Sequence, residues 1–164
     1  MDTFTKVHVI ISLIGIGSGL VVTVGLLTAK RLDGWTALFL ASTVLTSVTG
    51  FLFPFHGFTP AIGVGIISLV LLAIAIIARY PCHLRGAWRW IYVVTAMLSL
   101  YLNVFVLVVQ LFQKVPALKA LAPTQSERPF QFTQLLVLVL FIVLTILAVI
   151  RFRIEPARTS VRTA

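Results

Sequence analysis

The chain has one cysteine, four acidic residues and no charge at all where it is most apolar. A lone Cys82 excludes an intramolecular disulfide and any metal site built from cysteines. Asp2, Asp33, Glu127 and Glu155 lie in termini or between apolar runs, so a carboxylate relay inside a membrane has no residues to build it. Phosphate-cradling glycine loops, metalloprotease helices and nucleophile elbows are also missing. Charged residues make up 10% of the chain and hydrophobic ones 60%, against about 25% and 45–50% in soluble domains. An ordinary water-surrounded core is thereby excluded, because the outer surface is as apolar as the inside.

What is present is a set of five apolar stretches, at residues 7–27, 35–55, 61–78, 90–111 and 132–150, none holding an Asp, Glu, Lys or Arg. A helix needs about 20 apolar residues to cross a hydrocarbon core of about 30 Å. The expected fold is all-α, a single-domain five-helix transmembrane bundle over residues 1–164 with the lipid bilayer as its solvent. The first stretch is longer than the 7–15 residues of a signal-peptide core and no A-x-A site closes it, so it is read as a retained helix.

The net charge of +9 would suit nucleic acid, but the cations cluster at the ends of the stretches and form no single face, which excludes that partner. Lys30, Arg31, Arg79, Arg85, Arg89, Arg151, Arg153, Arg158 and Arg162 fall on one side, and Lys6, Lys114, Lys119 and Arg128 on the other. The positive-inside rule then places the N-terminus outside, loop 114–131 outside and tail 151–164 in the cytoplasm. Trp35, Trp88, Trp90, Tyr80 and Tyr92 are expected in an aromatic belt at the cytoplasmic interface.

Several small or polar residues stand inside the stretches. Gly15 and Gly19 share a face that lets another backbone approach, within the bundle or from a second copy. Thr36, Thr43, Ser47 and Gly50 share a face of the second stretch, as interhelical glue or as a polar lining. Ser99 and Asn103 are four residues apart, with Gln110 further out on the same stretch. A buried Asn needs partners, so Asn103 reads first as a packing determinant. The short link at 56–60 makes the second and third stretches an antiparallel hairpin. Residues 116–122 are expected to form a short interfacial helix.

His8 opens the first stretch and His56 follows the second, which puts both imidazoles at the outer interface. Such a pair suits haem b, a metal ion or a quinone headgroup, with Asn103 or Gln110 assisting. The plainer reading is two separate histidines with their polar tips among headgroups. His83 lies a bilayer away and belongs to neither.

Residues 13–19 (LIGIGSG), 31–40 (RLDGWTALFL), 46–51 (TSVTGF) and 120–125 (ALAPTQ) together resemble a group of small proteobacterial membrane proteins to which no activity is assigned. The resemblance implies a bacterial inner-membrane location and carries no catalytic residue across. The expected function is that of a non-enzymatic integral membrane protein, an accessory subunit of a membrane complex or a homo-oligomer. The alternatives are a haem- or quinone-binding redox protein using His8 and His56, and a small-solute or ion path lined by the hydroxyl face.

Overall fold

The computed structural model describes residues 3–53 and 60–153. All regular structure among them is helical: α1 (Thr3–Leu27), α2 (Asp33–Gly50), α3 (Pro60–Arg79), α4 (Trp88–Lys114), α5 (Pro116–Leu121) and α6 (Arg128–Arg151). Four of these, α1, α3, α4 and α6, are long and apolar enough to cross a membrane. Helix α2 is shorter and more polar, carrying Thr36, Ser42, Thr43, Thr46, Ser47 and Thr49 in its 18 residues. It stops at Gly50 rather than running on to residue 55. Phe51 N–H donates to Val48 O at 3.1 Å and Leu52 N–H to Thr49 O at 3.1 Å, so the last turn tightens ahead of Pro54. The expected turn at 56–60 lies almost wholly outside the described residues, but α2 and α3 do pack together.

Helix α1 packs on α2, α2 on α3, α3 on α4 and α4 on α1, closing a four-helix ring. Helix α6 lies outside the ring against α4 and α1. The glycines of α1 explain how tightly the ring closes. A methyl group at Gly19 would stand 2.6 Å from Leu100 Cδ1 and 2.9 Å from the Phe39 ring. At Gly15 it would stand 3.2 Å from Thr43 Oγ1. The Gly15/Gly19 face is therefore covered by the chain's own α2 and α4 and is not offered to a second copy. Most hydroxyls in the ring bond to the carbonyl four residues back on their own helix, as Ser18, Thr23, Ser42, Thr46, Thr95 and Ser99 do.

The dense part of the core sits at one end of the ring. Phe39, Leu40, Leu72, Ala75, Ala78, Tyr92, Val93, Ala96, Met97 and Leu100 are all buried there. Arg79 belongs to this core, with 4% of its surface exposed. Its guanidinium donates to the carboxylate of Asp33 at the start of α2 and lies 5.2 Å from the centre of the Tyr92 ring. Tyr92 is wholly buried, with its hydroxyl enclosed beside Thr36 and Arg79 and no hydrogen bond of ordinary geometry to either. It is thus a core residue, not part of the interfacial belt, because its position on α4 turns toward α2 and α3. Trp35, Trp88, Trp90 and Tyr80 are exposed. Arg89 also leaves the set of free flanking charges: it donates to Val149 O at 3.3 Å and to Phe152 O, capping the end of α6.

Loop 114–131 is ordered by a core of its own. Helix α5 and the turn after it bring Leu118 and Ala122, and the start of α6 brings Phe130, against Val108 and Phe112 of α4. Gln125 donates across to Val109 O at 2.9 Å.

Candidate ligand-binding cavity

At the end of the ring away from Arg79, helices α1 to α4 enclose a cavity of about 570 Å³. Its walls repeat at helical spacing. Thr5, His8, Val9, Ser12, Leu13 and Ile16 line it from α1, and Asn103, Val106, Leu107, Gln110, Leu111 and Lys114 from α4. Thr46, Ser47 and Gly50 of α2 and Ala61, Val64, Gly65 and Ser68 of α3 complete it, with Phe51 and Phe53 beyond α2. The lining is mostly apolar. Leu13, Ala61, Gln110, Leu111 and Lys114 are also exposed, so the cavity communicates with the surroundings.

His8 is held in one orientation. Its Nδ1 lies 2.8 Å from Thr49 Oγ1. The Thr49 hydroxyl proton already goes to Leu45 O at 2.7 Å. The hydroxyl therefore accepts, Nδ1–H donates, and a neutral ring keeps its lone pair on Nε2. Phe53 meets the imidazole edge to face at 5.1 Å and stacks in turn on Phe4 at 5.0 Å. Lys114 of α4 lines the same cavity as His8.

Asn103 links the cavity to the packed layer beneath. Its Nδ2 donates to Thr43 Oγ1 at 3.3 Å, and Gly15 lies against the same two groups. One turn further on, Gly19, Phe39 and Leu100 close the ring.

Of the residues singled out in the sequence, the fold brings His8, Ser47, Asn103 and Gln110 to one cavity. Thr43 stands behind the wall as the partner of Asn103. Ser99 is buried away from it, bonded to Thr95 O at 2.8 Å. His56 lies outside the described residues. Sequence reasoning missed Lys114, Ser12, Thr46 and Ser68. Lys114 was read as a loop charge, although Asn103, Gln110 and Lys114 stand seven and four residues apart on one helical face.

Elsewhere there is little chemistry. A second hollow of about 160 Å³ between α4 and α6 is lined by Met97, Tyr101, Phe141 and other apolar side chains. Of its two hydroxyl-bearing residues, Tyr101 and Thr145, the latter donates to Phe141 O at 2.6 Å. His83 is exposed at the Arg79 end, with Nδ1 2.9 Å from Pro81 O. Among the described residues no cluster of three or more His, Cys, Asp or Glu side chains exists to hold a metal ion. Searches against family models, curated proteins and solved structures match nothing.

Proposed function

We propose that this chain is a single-domain bacterial inner-membrane protein of five spans, with α2 as the fifth, that holds a lipid-soluble amphipathic molecule in the α1–α4 cavity. The charge count supports an N-terminus outside and a cytoplasmic tail, which puts the cavity in the outer half of the bilayer. At about 1.5 Å per residue, the 18 residues of α2 reach roughly 27 Å. Its packing between α1 and α3 buries Thr36, Ser42, Thr43 and Ser47 and leaves Trp35, Leu38, Leu45 and Val48 exposed, which suits a span with its apolar face toward lipid.

One observation carries the binding reading: an open, mostly apolar cavity of about 570 Å³ on which His8, Asn103, Gln110 and Lys114 converge. That volume falls inside the roughly 300–1,000 Å³ of small-molecule sites, whose walls have the same character. Binding alone calls for no catalytic group, which agrees with an accessory role in a membrane complex. The closed layer at Gly19, Phe39 and Leu100 favours a pocket over a solute path through one chain. A quinol is the second reading, since a hydroxyl head matches the Nε2 lone pair of His8. The haem reading needs His56, outside the described residues, as its second ligand.

The test is to purify the protein in mild detergent, extract it, and identify bound lipids by mass spectrometry. A reduced-minus-oxidised spectrum is recorded on the same sample. One amphipathic species near one per chain is expected, strongly reduced in Val106→Trp, where the indole fills the cavity. Equal content in the two proteins would overturn the reading. A haem α-band at one per chain would replace it with an electron carrier.

A further inference from the structure

Among the described residues the charge around the cavity has one sign. Lys114 lines it, and Lys6, Lys119 and Arg128 stand at the same end of the bundle. No carboxylate is among the described lining residues. Asp2, close in sequence to the lining Thr5, lies outside the described residues. Glu127, the acidic residue nearest to Lys114 in the chain, is spent on its own turn, where it accepts from Thr124 N–H at 3.2 Å, Thr124 Oγ1 at 2.9 Å and Ser126 N–H at 3.1 Å. Gln110 stands one turn before Lys114 on the same wall, so an ammonium and an amide face the cavity together. Where two such groups stand at the mouth of a mostly apolar space with no counter-charge among the described lining residues, an entering anion gains from both. The apolar walls below, from Leu13, Ile16, Val106 and Leu107, offer that anion a place for a hydrocarbon chain.

Resting on the reading of this cavity as a ligand site, we infer that its ligand is an anionic amphiphile. The head is a carboxylate or phosphate whose oxygens are taken by Lys114 and Gln110, and the chain lies against Leu13, Ile16, Val106 and Leu107.

Binding of oleate, farnesyl phosphate and uncharged oleyl alcohol is measured on the full chain in nanodiscs of zwitterionic lipid. Wild type should bind at least one of the two anions about tenfold more tightly than the alcohol, a difference equal to about 1.4 kcal/mol. Lys114→Gln should remove that preference and leave the alcohol within about twofold. Lys119→Gln makes the same change in net charge on α5, away from the lining, and should leave all three ligands within about twofold. If only one anion shows the preference, it identifies the head as carboxylate or as phosphate. An alcohol bound as tightly as the anions overturns the inference, as does a Lys119→Gln effect equal to that of Lys114→Gln. Val106→Trp separates the two levels of the argument. If it abolishes all binding while Lys114→Gln has no selective effect, the cavity reading stands and the anionic head falls. If it changes nothing, the cavity reading falls as well.

Discussion

At the Arg79 end of the ring the four helices interlock, and at the His8 end the same four helices stand around a hollow. The difference lies in how small and large residues are matched. In the closed half each small residue receives a large one: Gly19 takes Leu100 and Phe39, and Ala75, Ala78 and Ala96 share the core with Leu72, Tyr92 and Met97. In the open half Ser47, Gly50, Ala61 and Ser68 line the hollow; the Phe51 ring fills the space at Gly65, while a methyl at Gly50 would meet just the edge of His8 at 3.9 Å. Because the hollow opens to the surroundings, it is filled from them and is not a sealed void. Its mostly apolar walls favour hydrocarbon over water as the filling. One half is closed by its own side chains, and the other leaves a hollow.

The largest expected effect tests that division directly. Leu72 has none of its surface exposed, and Leu72→Ala should cost about 3 kcal/mol through the cavity it leaves. Leu107→Ala removes the same atoms from the wall of a space already open and should cost less than about 1 kcal/mol. Equilibrium unfolding in mixed micelles measures both, and equal losses would erase the distinction between the halves. Next comes the ion pair of the closed half. Asp33→Asn leaves the buried Arg79 guanidinium without its counter-charge and should cost about 2 kcal/mol. That is below the 3–5 kcal/mol of a fully buried pair, because the Asp33 side chain is 71% exposed. Adding Arg79→Met to Asp33→Asn should recover most of the loss, since no unpaired charge then remains.

A smaller contrast lies within one turn of α1. Gly19→Ala should cost about 1–3 kcal/mol, because the new methyl must displace Leu100 and Phe39. Gly17→Ala should stabilise by up to about 1 kcal/mol, since a methyl there meets nothing within 4 Å and alanine is the better helix former. The same pair of melting curves would expose an error in the rotation of α1: if Gly17→Ala proved the damaging change, the opposite face of α1 would be the one packed on α4.

The helices could be read in the sequence because uncharged length is a local property, and four of the five expected spans are matched by helices long and apolar enough to cross a membrane. The short helix at 116–121 was equally legible, since Val115 before Pro116 and the Pro123 break bracket it. The end of α2 was not, because hydropathy carries on through Phe51 and Phe53 while the backbone has already tightened into a turn. Arg79 and Tyr92 were misplaced for a related reason. Both stand next to a chain reversal, where a flanking charge or an interfacial ring is the ordinary outcome. Only the return of α4 onto α2 and α3 buries them. Of the cavity, the polar members inside the spans were visible as exceptions in apolar surroundings. Their convergence was not, because it depends on the ring order of α1 to α4, which no single stretch encodes. Lys114 was hidden by the same habit of assigning span-end cations to topology.

The smallest effect belongs to the loop above the open half. Desolvation pushes the Glu127 carboxyl up, but hydrogen bonds from Thr124, Ser126 and its own backbone together outweigh it and hold the pKa below the ordinary 4.5. A group whose pKa is lowered on folding contributes stability above its unfolded value and loses it as pH falls through the folded one. The 124–127 turn should therefore be intact at neutral pH and loosen only below about pH 4.5. Amide chemical shifts of Thr124 and Ser126 should titrate together with a midpoint under that value, and Glu127→Gln should abolish the titration. Core amides at Leu72 and Val93 should not follow, because the turn packs on the satellite core of α5 and not on the closed half of the ring. A midpoint at or above 4.5 would mean that the carboxylate is free in solution. The loop would then be held by the Phe112–Phe130 contact and the Gln125 bond to Val109 alone.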